Sequence, residues 1–133
     1  MSENLDLVRS IYADWERGDY TSADWADPDI EFAWADGPEP GSRTGLPDMA
    51  EGWGQWLAAW DDFRSEAEGY HEIDGERVLV LGRNTARGKT SGLDLRQRPT
   101  KQAALFHVRD GKVTRLVLYW DRARAFADLG LKE

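Results

Sequence analysis

Residues 102–120, QAALFHVRDGKVTRLVLYW, decide the fold of this chain. Two runs of alternating apolar residues flank Asp110-Gly111, and an Asp-Gly pair in that setting is the strongest short-range signal for a β-hairpin. Successive side chains of a strand point to opposite faces, so the hairpin has two apolar faces. One carries Ala104, Phe106, Val108, Leu116, Leu118 and Trp120, and the other carries Leu105, His107, Val117 and Tyr119. The sheet is therefore expected to enclose a cavity on one side and to meet a partner on the other.

The elements that follow and precede this hairpin are predicted from apolar spacing and turn residues. Residues 64–73 and 77–89 indicate a second hairpin around Asp74-Gly75, and residues 122–129 indicate a closing helix. Residues 90–99 fit a turn and an extended run. Toward the N-terminus the pattern predicts a helix over 4–17, a short helix over 21–25, a strand over 30–34 and a loop over 35–45.

A third helix is predicted to begin at Pro47, a residue favoured at the first helical position. Its apolar stripe consists of Met49, Trp53, Trp56, Leu57 and Trp60. Gly52 and Gly54 weaken this helix by about 1 kcal/mol each relative to alanine. We expect deep burial of the tryptophans to compensate for that loss.

Length and composition set the class of protein. The 133 residues fit a single domain, 1–133, that can bury roughly two thirds of its unfolded surface. No apolar run approaches the roughly 20 residues that cross a bilayer, and the N-terminus lacks the charged and apolar regions of a signal peptide. We therefore expect a cytoplasmic protein with no membrane partner. The chain has no cysteine, which excludes disulfides and a thiol nucleophile.

The charge of the chain is unevenly distributed. The net charge of −8 disfavours a nucleic-acid partner, because affinity for phosphates depends on clustered Lys and Arg. Residues 1–76 hold 20 acidic and 4 basic side chains, whereas residues 77–133 hold 5 acidic and 13 basic ones. This asymmetry favours acidic elements packed around a basic sheet surface over a groove for an anionic partner.

Five segments, taken in order, resemble the SnoaL-like branch of the NTF2-like superfamily. They are ERGDY (16–20), WADPDIEFAW (25–34), the Gly45-x-x-x-Met49 helix start, FHVRDGKVTRL (106–116) and YWD (119–121). The resemblance implies an α+β, NTF2-like cone, in which a strongly curved mixed or antiparallel sheet wraps around three N-terminal helices and a short C-terminal helix follows. It also implies an apolar pocket, a homodimer, and a function set by a few polar side chains at the base of the pocket.

The resemblance does not choose a reaction, because this fold supports several. Where ketosteroid isomerases carry their proton-transfer side chains, this sequence has Phe32, Ala104 and Ile11, and an apolar side chain cannot move a proton. Where epoxide hydrolases carry their last carboxylate, it has Leu118. Asp94 and Arg96 have ion-pair spacing but lack that second carboxylate.

Seven residues are predicted to bind a small apolar or aromatic molecule: Trp34, Trp53, Trp56, Arg83, Phe106, Leu118 and Trp120. Arg83 shares strand parity with Leu79 and Leu81, which is expected to turn it inward. There it would either pair with a helix carboxylate such as Glu16 or Glu51, or anchor a carboxylate, phenolate or enolate of the ligand.

The weaker catalytic candidates are Arg83, Asp36, Tyr12, His107 and Asp121. In polyketide cyclases of the resembling family an aspartate and a histidine on the last strands transfer protons, which brings His107 and Asp121 forward. Parity, however, places His107 on the face away from Phe106, and Asp121 is equally suited to cap the closing helix. His71 is expected on the surface, and the two histidines do not suggest a metal site or a cofactor.

Two functions remain open at this point. The first is a small-molecule-binding homodimer with a tryptophan-lined pocket, which could catalyse a cofactor-independent proton transfer, cyclisation or hydrolysis. The second is a non-catalytic ligand-binding or assembly module whose cavity is filled by its own tryptophans.

Overall fold

A computed structural model describes residues 3–17, 19, 24–35, 41–58, 60–88 and 100–131. These residues form three helices and six strands: α1 Glu3–Glu16, β1 Ala26–Trp34, β2 Gly41–Thr44, α2 Leu46–Ala58, β3 Trp60–Glu72, β4 Arg77–Gly88, β5 Thr100–Arg109, β6 Lys112–Tyr119 and α3 Arg122–Leu129. One curved, unclosed sheet contains all six strands in the order β2-β1-β6-β5-β4-β3. β1 runs parallel to β6 and the other neighbouring pairs are antiparallel, so the predicted mixed α+β sheet is confirmed.

The hairpin of β5 and β6 forms as predicted around Asp110 and Gly111. Both residues have positive φ, 53° and 76°, as a two-residue type I′ turn requires. The pairs Ala104↔Leu118 and Phe106↔Leu116 fix the register. The register set by the turn, Arg109↔Lys112 and Val108↔Val113, would by itself place Phe106 opposite Arg115. A bulge between His107 and Val108, with Thr114 as the extra residue, shifts the register by one and aligns the two apolar faces.

The sheet has two covered faces. The inner face packs against α1 and α2, and it carries Phe32, Val78, Val80, Ala104, Phe106, Leu116 and Leu118. From α1 it receives Val8, Ile11, Tyr12 and Trp15, all buried. The outer face packs against α3, and it carries Leu79, Ala103, Leu105, Val117 and Tyr119. The side-chain alternation predicted for the last hairpin is thus confirmed on both faces.

The short helix α3 is held at both ends. Asp121 caps its N-terminus by accepting a hydrogen bond from the backbone N–H of Ala123, at 3.0 Å. Gly130 closes the C-terminus in the left-handed conformation, φ 68°, which glycine adopts without steric cost. Ala125 and Phe126 are buried against the apolar residues of the outer face, so α3 covers this part of the sheet.

The structure corrects the sequence-based prediction in the first half of the chain. Part of the predicted loop 35–45 forms the strand β2, which pairs antiparallel with β1. Strand β1 begins at Ala26 rather than at residue 30, and Trp60 begins β3 rather than extending the stripe of α2. Most of the predicted helix 21–25 and all of 90–99 lie outside the described residues, and Asp24 and Trp25 form a turn. Among the described helices, none is long and apolar enough to span a membrane.

Candidate functional site

A cavity of about 360 Å³ lies between the β1–β2 edge of the sheet and α2. Its described wall consists of Phe32, Trp34, Gly41, Ser42, Arg43, Asp48, Gly52, Gln55 and Trp56. This volume is at the lower end of the range for small-molecule sites, about 300–1,000 Å³. We call it the β2–α2 cavity.

The apolar part of this wall consists of Phe32, Trp34 and Trp56, and the two indoles contact further aromatic rings outside the wall. Trp34 lies 4.4 Å from Trp56 between ring centroids, and it stacks on Trp53 at 6.2 Å with an interplanar angle of 23°. Trp56 in turn meets the edges of Phe63 and Trp120 at 6.1 and 5.5 Å. Trp34 thus contacts both Trp53 and Trp56, and Trp120 contacts Trp56. All four were predicted to bind a ligand.

The pairing of β1 with β2 explains why this edge is open. Phe32 pairs with Arg43 and Trp34 pairs with Gly41, and residues paired directly across a sheet share a face. Phe32 and Trp34 belong to the inner face, so Arg43 also points inward. Gly41 places no side chain beside Trp34, and that leaves room at the mouth of the cavity.

The polar part of the wall centres on Arg43. Its Nη1 donates to Asp48 Oδ1 at 2.9 Å and its Nη2 donates to Gln55 Oε1 at 3.2 Å. The side chain crosses α2 at Gly52, where an added Cβ would lie 2.5 Å from Arg43 Cδ and Nε. The glycine in the middle of α2 is therefore explained by the passage of an arginine, in addition to any compensation from buried tryptophans.

The centre of the inner face, beneath α1, is filled by the protein's own aromatic rings. Between ring centroids, Tyr12 lies 4.9 Å from Trp15 and 6.1 Å from Phe106. The rings of Trp15 and Trp53 are 5.6 Å apart by the same measure. Phe106 and Leu118, predicted to touch a ligand, are 0% and 4% exposed within this core and do not line the β2–α2 cavity. The β2–α2 cavity lies at the β2 edge, away from the centre of the cone.

Arg83 lies on the outer face, which corrects the expectation of an inward guanidinium. Arg83 and Leu79 point to the same face of β4, as predicted, but Leu79 packs beneath α3 and not beneath α1. Arg83 Nη2 donates to Glu66 Oε2 at 3.0 Å across the β3–β4 ladder, and both side chains are more than 40% exposed. The predicted partners Glu16 and Glu51 are not involved. Exposed pairs of this kind contribute about 0–1 kcal/mol to stability.

The histidine–aspartate pair considered for proton transfer does not assemble. In the strand register, His107 lies opposite Arg77 on β4 and Arg115 on β6, on the outer face. Asp121 caps α3 beyond the other end of the hairpin, roughly 20 Å from His107 along the strands. Burial and the neighbouring arginines lower the pKa of His107 below its usual 6.5. Tyr12 is fully buried in the core, and Asp36 lies outside the described residues.

The described part of the chain offers little acid–base chemistry in its interior. Within it, Ser65 and Gln102 are buried, Tyr12 and Tyr119 bury phenol side chains, and Phe32, Ala104 and Ile11 are buried as apolar groups. Across the same ranges, no group of three or more His, Asp or Glu side chains is placed to hold a metal ion. Arg43 is the residue that sequence reasoning missed. Its only signal was a basic side chain in a strongly acidic half of the chain, between Gly41 and Gly45.

Solved structures share this fold. An NTF2-like protein of unknown function from Burkholderia pseudomallei matches with a TM-score of 0.76 at 19% identity, over 96% of this chain and 97% of that one. TerC, co-crystallised with polyporic acid, matches with a TM-score of 0.73 at 23% identity, over 96% and 98%. A candidate polyketide cyclase from Sinorhizobium meliloti matches with a TM-score of 0.67 at 18% identity, over 89% and 99%. At these identities the likeness concerns the fold alone.

No curated protein matches the sequence. Residues 8–116, however, match the SnoaL-like domain family. This stretch runs from the middle of α1 to the last strand, and so it includes the whole described sheet except the end of β6. The chain belongs to the SnoaL-like domain family.

Proposed function

We propose that this protein binds a small, flat, largely apolar molecule in the β2–α2 cavity. The observation that carries the proposal is the row of indoles along the cavity, in which Trp34 and Trp56 lie 4.4 Å apart and both line the free volume. Aromatic rings offer a large apolar area with a preferred stacking geometry, which suits a planar ligand. TerC, a neighbour in fold, was co-crystallised with polyporic acid, which supports a small-molecule ligand for this chain as well.

The proposal is tested with a panel of planar aromatic compounds and aliphatic terpenoids. A ligand should quench tryptophan fluorescence, and at a hundred times its Kd it should stabilise the fold by about 2.7 kcal/mol, which raises the melting temperature by several degrees. Trp34→Leu should abolish both effects. Trp25→Leu is the matched control, because Trp25 is also a partly buried indole but does not line the cavity. If no compound quenches fluorescence or raises the melting temperature, the binding proposal is wrong.

The second candidate is a non-catalytic assembly module. One observation favours it: the rings of Tyr12, Trp15 and Phe106 fill the inner face, as they would in a core that has no guest. Under this alternative the panel leaves the melting temperature unchanged. Turnover by proton transfer, cyclisation or hydrolysis stays a prediction, and so do the homodimer and the cytoplasmic location.

A further inference from the structure

Arg43 has an unusual position for its charge. It is one of four basic residues in residues 1–76, and it points toward the inner face beside the indoles of the β2–α2 cavity. Asp48 and Gln55, two turns apart on α2, hold its guanidinium. The contact with Gly52 lets the side chain lie flat on the helix. A guanidinium fixed in this way loses little conformational freedom when it meets a ligand.

Within the described part of the chain, the guanidinium of Arg43 is left with unused donors. An arginine has five N–H groups, and among the described residues Arg43 uses one from Nη1 and one from Nη2. The planar fork of the remaining donors suits an oxygen anion. Asp48 also accepts from the backbone N–H of Thr44 at 3.4 Å and lies in the first turn of α2, where the helix dipole favours a carboxylate, so its position beside Arg43 is fixed.

We propose that Arg43 is a ligand-binding residue and that the ligand of the β2–α2 cavity is a planar aromatic acid. Its ring lies against Trp34 and Trp56, and its carboxylate or phenolate oxygen accepts hydrogen bonds from Arg43. Gln55, which also contacts Glu51 at 3.4 Å, and Asp48 orient the guanidinium. This proposal rests on the proposed function and adds the ligand's charge to it.

The experiment compares three probes of one size: 2-naphthoate, its methyl ester and naphthalene. Tryptophan fluorescence titrations give the affinity of each probe for the unmodified chain and for Arg43→Gln. The unmodified chain should bind 2-naphthoate at least about tenfold more tightly than the ester, a difference of about 1.4 kcal/mol. Arg43→Gln should remove this preference while the ester and naphthalene bind as before.

Two helix variants provide a second, matched measurement. Gly52→Ala places a Cβ where Arg43 passes, so the guanidinium must leave its position, and the preference for 2-naphthoate should fall. Gly54→Ala makes the same substitution two residues along α2, where no atom lies within 4 Å of the new Cβ, and should keep the preference. Melting curves without ligand show that each variant is folded.

The outcomes separate the two proposals. Equal affinity for 2-naphthoate and its ester, or a preference that survives in both Arg43→Gln and Gly52→Ala, overturns the role of Arg43 and leaves cavity binding intact. Failure of all three probes and of the wider aromatic panel to bind the unmodified chain overturns cavity binding itself, and the role of Arg43 with it.

Discussion

His107 is a partly buried titratable side chain of β5. It lies on the outer face between Arg77 and Arg115, and no hydrogen-bond partner of its Nε2 is found in the described part of the chain. Burial is the main cause that lowers its pKa below 6.5, and the charges of the two arginines act in the same direction. The folded state therefore favours the neutral imidazole.

A pH dependence of stability follows. Because the pKa of His107 is lower in the folded chain, the unfolded chain binds a proton at this histidine more readily. The stability that the neutral imidazole contributes is therefore fully present above pH 6.5 and is lost as pH falls through the folded pKa. Denaturation by urea at about pH 8 and about pH 5.5 should show a fall in stability that is smaller in His107→Gln. His71→Gln, at an exposed histidine, is the control. The same fall in His107→Gln as in the unmodified chain would contradict this assignment.

Arg83 and Arg43 show how much of a site the sequence determines at the scale of single residues. Alternation correctly grouped Arg83 with Leu79, but the apolar pattern does not say which of two apolar faces is inner. That depends on which helices cover each face, a property of the tertiary structure. Arg43 turns inward through its pairing with Phe32, and a polar four-residue strand gives no periodic signal for such pairing.

The helix α3 begins at a partly buried arginine that reaches back to the sheet. Its first residue, Arg122, donates to Glu68 Oε1 at 2.6 Å and to the carbonyl oxygen of Gly82 at 2.8 Å, and its side chain is 17% exposed. The β3–β4 register skips Glu68, which is the extra residue of a bulge between Ala67 and Gly69. Arg122 thus ties the start of α3 to the point where the edge of the sheet bends.

Replacement of Arg122 by Met should reduce the free energy of unfolding by about 1.5–3 kcal/mol, the usual range for hydrogen bonds to charged groups. Arg124→Met is the matched control on the same helix. Arg124 is half exposed and lies 3.6 Å from Asp128, so its loss should stay within about 0.5 kcal/mol. Equal losses in the two variants would show that α3 does not depend on Arg122.

The ion pair of Arg122 also has a pH signature. The hydrogen bond from Arg122 is the main cause that lowers the pKa of Glu68 below its ordinary 4.5. The pair therefore stabilises the fold above pH 4.5 and loses this effect as pH falls through the folded pKa, so the difference between Arg122→Met and the unmodified chain should shrink in acid. Urea denaturation in acid measures that difference.

At the scale of elements, the accuracy of the sequence-based prediction followed the strength of local signals. Both hairpins formed around their Asp-Gly turns, and α3 ended at Gly130 as its cap residue indicates. The strand β2 was missed because its four residues, GSRT, carry no apolar side chain and are mostly exposed. The β2–α2 cavity depends on this strand, so its position was not available from the sequence.

The charge asymmetry of the whole chain is resolved within the fold. The strands β4 to β6, which are rich in basic residues, lie between the acidic strands β1 and β3. Ion pairs join the two halves at Glu31–Arg115, Glu66–Arg83, Glu68–Arg122 and Glu76–Arg109. The prediction of acidic elements around a basic sheet is consistent with these contacts, and the outer face beyond α3 is consequently charged rather than apolar.

This charged surface determines how a homodimer through the outer face would behave. Tyr119 is 5% exposed and packs with Phe126, so Tyr119→Asp would damage the fold and is not a suitable probe of the interface. A dimer that uses Glu66 and Arg83 should instead weaken with salt, because screening is strong for exposed charges. Light scattering at low salt should give twice the mass of one chain, and less at about 1 M NaCl.

Two variants with the same change of charge test the interface. Glu66→Lys places a cation opposite Arg83 on the outer face and should weaken the dimer, whereas Glu3→Lys, at an exposed position of α1, should not. The mass of a single chain at low salt contradicts the homodimer. If the dimer resists both salt and Glu66→Lys, the chain dimerises through a surface other than the outer face. A contact over these ion pairs would be weakened by reversal of one of their charges.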